Sequence, residues 1–261
     1  MANALVTGAS SGIGLSTARR LAHRGHHVLM LSYDEPELQQ ACQDLVGQAT
    51  PVLCDLSQSD QVDGLFARLE GLYGPIEILI NNAGIGHHGE VTETSMDTFR
   101  RVMEVNYFAP LNLCQQALTA MKERRRGHIL NLTSASARRP LARMGAYGSS
   151  KAALHGLTQT LRLEAHPYQV RVSEVLPISV TTPFFERASN TSQRLYRPTG
   201  FRHSPDQVAD MVMRCLDRNI GEYVTHTPTA LGLALDALLP NFVSRLLVWS
   251  ERLTARRNRR D

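Results

Sequence analysis

Thr7-Gly8-Ala9-Ser10-Ser11-Gly12-Ile13-Gly14 closes the apolar run Ala4-Leu5-Val6 and opens a helical pattern that continues to about Arg24. Glycines at 8, 12 and 14 carry no β-carbon, so the backbone there can turn tightly and let a pyrophosphate approach. The free N–H groups of the helix start then face the anion. The spacing differs from G-x-G-x-x-G, and no Gly-Lys-Ser/Thr follows, so the turn is not a nucleoside-triphosphate loop. Strand, glycine turn and helix in that order read as the start of a dinucleotide-binding unit.

Outward from this turn, short apolar runs alternate with helical stretches. Val28–Leu31, Val52–Leu53, Ile76–Ile80, Ile129–Leu132, Val170–Val175 and Tyr223–Thr225 read as strands. Val62, Leu65, Phe66, Leu69 and Leu72 recur at helical spacing. One long helix is expected from about Met96 to Arg124 and another from about Gly145 to His166. The alternation implies βαβ units, hence an α/β fold with a single doubly wound parallel sheet of about seven strands. One main domain is expected over residues 1–228. It includes an aperiodic stretch, 179–204, with Pro183, Asn190, Pro198 and Gly200, which reads as a binding loop. Residues 229–261 read as a helical extension.

The chain has 261 residues, 43% apolar and 20% charged, which excludes a disordered or fibrous polymer. Its net charge is +4, but five arginines (252, 256, 257, 259, 260) and two acids give residues 251–261 a net +3, leaving +1 for the rest. A nearly neutral body is a poor match for nucleic acid, so none is expected as a partner. Cys42, Cys54, Cys114 and Cys215 lack C-x-x-C spacing. No disulfide framework or metal site is therefore expected, and a reduced, cytoplasmic setting is. Too few residues precede Gly8 for a signal peptide.

Asn81-Asn82-Ala83-Gly84 follows the fourth strand, and Asn106 lies in the next helix. Ser134 precedes Tyr147 by 13 residues, and Tyr147-x-x-x-Lys151 completes the set. Together with the glycine turn, these motifs, in this order over about residues 3–185, resemble the short-chain dehydrogenase/reductase family. The resemblance implies a Rossmann-like fold and an NAD(P)-dependent oxidoreductase that interconverts a carbonyl and an alcohol on a small, lipophilic substrate. It also implies homodimers or homotetramers. It assigns catalysis to Asn106, Ser134, Tyr147 and Lys151. Cofactor contacts are implied for Gly8, Ser10, Ser11, Gly12, Ile13, Gly14, Asp55, Leu56, Asn82, Ala83, Gly84, Tyr147, Lys151, Pro177, Val180 and Thr182, with Asn81 steadying the central strand. Ile178 stands where the family has glycine. A β-branched residue tolerates positive φ badly, so the backbone there must differ or must never have needed that conformation.

Tyr147 and Lys151 are four apart on an expected helix and share a face. Hydride transfer to a carbonyl leaves an alkoxide that needs a proton. Tyr147 is the expected donor, and the base in the reverse direction. A free tyrosine titrates near ~10, so work near neutrality asks for a change of about three pH units, or about 4 kcal/mol. The Lys151 ammonium and the oxidised nicotinamide both favour tyrosinate. Ser134 would donate to the substrate oxygen. The resemblance gives Asn106 a water that links Lys151 to solvent.

Ribose choice is made at the end of the second strand. Ser32 stands there instead of the acid that would bind a 2′-hydroxyl, so NADP(H) is favoured over NAD(H). Neither Tyr33 nor Ser11 is basic, and Asp34 would repel a phosphate if it turned inward. His87 and His88 either border the substrate or are exposed loop histidines. Phe184 and Phe185 either cap an apolar substrate or anchor the loop. Arg138, Arg139 and Arg143 either meet an anionic group or are solvated. Leu231, Leu235, Leu238, Phe242, Leu246, Trp249 and Leu253 form an apolar stripe that Pro240 splits into two helices. With Arg245, Arg252 and Arg256 beside it, the stripe either packs on protein or makes peripheral contact with a membrane through 229–261. A non-catalytic redox sensor is the rival to the enzyme reading. An intact Ser–Tyr–Lys–Asn set argues against it.

Overall fold

The computed structural model describes residues 2–45, 47–139, 141–191 and 201–257, except the side chains of 185 and 250–257. Pro198, Gly200, Arg259 and Arg260 lie outside the described residues, as do the side chains of Phe185, Arg252, Leu253, Arg256 and Arg257. The first half runs β1 (Asn3–Thr7), α1 (Gly12–His23), β2 (His27–Ser32), α2 (Glu35–Gln43), β3 (Ala49–Leu53), α3 (Ser59–Val62), α4 (Leu65–Tyr73), β4 (Ile76–Asn81), β5 (His87–His88), α5 (Met96–Met103), a π-turn (Glu104–Phe108), α6 (Ala109–Glu123) and β6 (Gly127–Leu132). A 3₁₀ turn (Ala135–Ala137) leads to α7 (Gly145–Ala165), β7 (Val170–Leu176), α8 (Phe184–Arg187), β8 (Ser189–Asn190), α9 (Pro205–Arg218), β9 (Glu222–Val224), α10 (Thr227–Leu238) and α11 (Pro240–Arg257).

Seven strands form one parallel sheet in the order β3-β2-β1-β4-β6-β7-β9, which bears out the doubly wound expectation. Alternate residues of each strand serve opposite faces. Ala4, Val6, Val28, Met30, Ile80 and Leu130 meet Leu21 of α1, Leu38 of α2 and Val212 of α9. Leu5, Leu29, Leu79 and Ile129 meet Phe66 of α4, Leu113 of α6 and Leu161 of α7. Burial on both faces is why these strands read as continuous apolar runs. Strand order reverses between β1 and β4, and that reversal opens a crevice beyond their carboxyl ends.

Three local features differ from the sequence reading, and a fourth, at Ile178, agrees with it. The periodic run 62–72 is broken at Gly64, whose φ of +66° ends α3 and starts α4. The long helix expected over 96–124 is interrupted by the π-turn at 104–108. α2 and α9 fill stretches left without structure; Asp34 caps the first, and Ser204 with Gln207 forms a reciprocal capping box on the second. Ile178 is absent from the positive-φ residues, so the backbone has simply adopted a conformation isoleucine accepts.

The chain divides into two compact units, Met1–Thr225 and His226–Asp261. In the second, α10 and α11 meet at Leu239, with Pro240 opening α11.

Candidate active site

β1 delivers Thr7 to the crevice, and its hydroxyl ties the two loops beyond the sheet together. Thr7 Oγ1 accepts from Asn82 N and Ala83 N, each at 3.0 Å. Asn82 Nδ2 donates back to Thr7 O at 2.9 Å and Gly8 O at 3.1 Å. Gly8 and Gly12 lie at φ +62° and +56°, the left-handed region that glycine adopts without strain. Gly14 has a different reason. A β-carbon there would sit 2.1 Å from Gly8 O and 2.6 Å from Asn82 Nδ2. A β-carbon on Gly12 would press on Thr182 Cγ2 at 3.2 Å, so the glycine turn and the segment after β7 face each other. This turn, open at its glycines and set at a helix N-terminus, fits a pyrophosphate.

Behind it runs a buried polar chain. Asn81 Nδ2 donates to Asn131 Oδ1 at 2.9 Å, and Asn131 Nδ2 donates to Thr158 Oγ1 at 2.8 Å, joining β4, β6 and α7. Asn106 is fully buried in the π-turn. Its Oδ1 accepts from Ile85 N at 2.8 Å while its Nδ2 donates to Ile85 O at 2.9 Å and Ser150 Oγ at 3.0 Å. The side chain therefore pins the loop after Gly84 to α7. A β-carbon on Gly84 would lie 3.1 Å from Asn106 Oδ1 and 3.4 Å from Lys151 Nζ, so both reach the floor of the same space.

β6 leads to Ser134 through Thr133, whose N–H donates to Val175 O at 3.0 Å; Ala135 N donates to Pro177 O at 2.9 Å. Ser134 Oγ accepts from Ser136 N at 3.1 Å, which leaves the hydroxyl proton for an outside acceptor. α7 carries Tyr147 and Lys151 to the same end, and both are buried. The Tyr147 ring meets Phe184 edge-on with centroids 5.6 Å apart, so α8 covers the phenol from one side. Lys151 Nζ donates to Leu132 O at 2.9 Å. Burial pulls this ammonium down from 10.5 to about 8, against a nearby carboxylate, Glu174, that raises it.

Glu174 on β7 was not singled out in the sequence. It is fully buried. Its carboxylate accepts from Thr133 Oγ1 at 2.6 Å and Gln159 Nε2 at 3.2 Å, and lies 2.9 Å from His155 Nδ1. The carboxylate raises the His155 pKa. Glu222 pairs with Arg138 at 2.9 Å, so this half-exposed arginine is engaged by a carboxylate of the protein itself. The ligand atoms of His155, Glu174 and Glu222 lie within 4.8 Å of one another, but Thr133, Gln159 and Arg138 already occupy them.

At the ribose end, Ser32 is buried with its Oγ 3.1 Å from Ser10 Oγ. Tyr33 is exposed. Asp34 is turned into the helix cap, where Oδ1 accepts from Glu37 N at 3.1 Å. Glu37, missed in the sequence, reaches the turn instead. Its Oε2 accepts from Ser10 Oγ at 2.7 Å and its Oε1 pairs with Arg187 at 2.8 Å. Arg187, then Ser10, hold this carboxyl below the usual range. Asp55 stands half-buried after β3 with Oδ1 accepting from Ser57 N, and Leu56 is buried beside it.

His87 and His88 are buried rather than exposed, because β5 pairs with β8, about a hundred residues away. His87 Nδ1 lies 2.8 Å from Ser189 Oγ and Nε2 lies 3.0 Å from Thr94 Oγ1. Burial, then the neighbouring positive groups His88 and Arg143 respectively, lower both histidine pKa values. The pair clasps the segment after α8 onto the body.

Residues 2–193 match the short chain dehydrogenase family. The chain is 32% identical to 3-dehydrosphinganine reductase of Danio rerio over 82% of this chain and 68% of that one. It is also 32% identical to fatty acyl-CoA reductase of Acinetobacter baylyi, over 85% and 75%. A short-chain dehydrogenase from Sphingobium yanoikuyae in complex with NADPH superposes with a TM-score of 0.80 at 27% identity, covering 92% of this chain and 96% of its own. The chain belongs to the short-chain dehydrogenase/reductase family, an NAD(P)-dependent group of oxidoreductases that act on CH–OH and C=O groups.

Proposed function

We propose that this protein interconverts a carbonyl and an alcohol on a lipophilic molecule, with NADP(H) as the dinucleotide and Tyr147 as the proton donor or acceptor. The reading is supported above all by the convergence of Ser134, Tyr147 and Lys151 beside the glycine turn. The dinucleotide, when bound, supplies or accepts the hydride. Gly8, Ser10, Ser11, Gly12, Ile13 and Gly14 would hold its pyrophosphate end. Asn82, Ala83, Gly84, Pro177, Val180 and Thr182 would line the nicotinamide end, and Asp55 and Leu56 the adenine.

Ser134 donates its hydroxyl proton to the substrate oxygen, because its lone pair already accepts from Ser136 N. Tyr147 donates the phenolic proton as alkoxide charge develops. Lys151 stays an ammonium at pH 7 even though burial brings it to about 8, and its charge favours tyrosinate. Phe184 keeps water from one face of the phenol. Asn106 has its side chain engaged by Ile85 and Ser150, so a proton-relaying water near Lys151 would be held by the main chain of the π-turn.

NADP(H) is favoured because Ser32 replaces the expected acid and Asp34 is turned into its helix cap. Two relatives named for lipid substrates favour a lipophilic carbonyl, and peripheral membrane contact through 229–261 belongs to the same reading. The test measures initial rates on a panel of short and long-chain ketones with each dinucleotide. NADPH-driven turnover that rises with chain length is expected. Turnover on none of them, or an NADH rate at least equal to the NADPH rate, overturns the corresponding part.

A further inference from the structure

α10 leaves much of its apolar side-chain surface exposed. Leu231, Leu235 and Leu238 are exposed, whereas Leu233 is buried. α11 continues this surface with Phe242, Leu246, Val248 and Trp249, all exposed. Leu239, at the corner, is exposed too. An outward apolar surface of this extent marks an interaction site.

Geometry narrows the occupant. No single helix among the described residues is long and apolar enough to cross a membrane. Thr227–Leu238 and Pro240–Trp249 together have the length and composition, but they bend by 119° at the proline. Twelve residues of helix reach only about 18 Å, against about 30 Å of hydrocarbon. A bend of 119° fits a re-entrant pair, entering and leaving one side of a bilayer, better than a continuous span. Charge narrows the occupant further. Residues 226–261 carry six arginines (245, 252, 256, 257, 259 and 260) against three acids (Asp236, Glu251 and Asp261), a net +3. A net positive charge in the same segment as the apolar stripe is complementary to anionic headgroups.

We infer that α10 and α11 form a bent hairpin that inserts into one leaflet of an anionic bilayer. The purpose of this anchor rests on the lipid-carbonyl reading, since it would hold the site where lipophilic carbonyls dissolve. Its test uses no turnover, so the two fail separately.

Trp249 is the sole tryptophan of the chain, so its emission reports from this surface alone. The full-length protein is mixed with vesicles of phosphatidylcholine, or of phosphatidylcholine with phosphatidylglycerol. A blue shift, and quenching by lipids brominated in the acyl chain, are expected with the anionic vesicles and much less with the neutral ones. Phe242→Glu with Leu246→Glu should abolish both while leaving turnover of a water-soluble ketone unchanged. Emission unchanged by vesicles overturns the inference, whether the protein elutes as a dimer, pointing to a second copy on this surface, or its emission is already blue in buffer, pointing to cover from the chain itself. Equal insertion into both vesicle types overturns the anionic assignment.

Discussion

Lys151→Met should abolish turnover and make the cofactor-free protein more stable. Burial brings the ammonium from 10.5 to about 8. At about 1.4 kcal/mol per pH unit, keeping it charged in the fold at pH 7 costs about 3 kcal/mol. Methionine has similar length and no charge. It forfeits the hydrogen bond to Leu132 O, worth about 1 kcal/mol, and leaves Glu174 without a nearby cation except through His155. The net expectation at pH 7 is a gain of about 1–2 kcal/mol, or about 2–6 °C in Tm for a chain of this size. The sign also sets the pH dependence. Between about 8 and 10.5 the unfolded chain holds a proton that the folded one has released, so wild-type stability recovers as pH rises. The advantage of the variant should therefore shrink to nothing by about pH 9.5. Urea midpoints of both proteins at pH 7 and 9.5, without dinucleotide, measure this. A variant less stable at pH 7, or a gain identical at both pH values, would refute the claim that a buried charge is maintained here for function.

Further outcomes follow from individual contacts. Gly14→Ala puts a β-carbon 2.1 Å from Gly8 O, a backbone atom that cannot move without opening the turn; dinucleotide Kd should rise at least tenfold by calorimetry, and an unchanged Kd would show that the turn does not hold the cofactor. Glu37→Gln removes the carboxylate that Ser10 holds beside the glycine turn and releases Arg187; the NADPH-to-NADH ratio of kcat/KM should rise several-fold, and a fall would mean that Glu37 opposes no phosphate. Burial lowers the His87 and His88 pKa values, so stability present at pH 7 is lost as pH drops below their ordinary value near ~6.5. His87→Gln should lessen the drop in thermal midpoint between pH 7 and 5, and parallel drops in both proteins would exclude this clasp as its source.

What the sequence made legible was governed by local chemistry. The three glycines, the apolar strands buried on both faces and the Tyr147–Lys151 spacing each carry their cause within a few residues. The unread features depend on partners far along the chain. His87 and His88 look like loop residues until Ser189 and Asn190 pair with them, and Glu37 reaches the ribose end only alongside Arg187, 150 residues later. The π-turn that aims Asn106 was not legible because the apolar residues of 96–123 recur every three or four positions and do not mark where a single i→i+5 turn sits. α9 was readable in principle: Ser204-Pro205-Asp206-Gln207 is a capping box before Val208, Val212 and Leu216. The stretch 179–204 takes in its N-cap Ser204, and residues 205–218 carry the helical spacing without being read as a helix.

Tyr147→Phe tests the central claim most directly. The substitution removes one oxygen and keeps the ring against Phe184. With a ketone that the parent reduces, nicotinamide absorbance should show turnover reduced at least a thousandfold, while dinucleotide Kd stays within about twofold. Turnover retained near the parent rate would contradict Tyr147 as the proton donor.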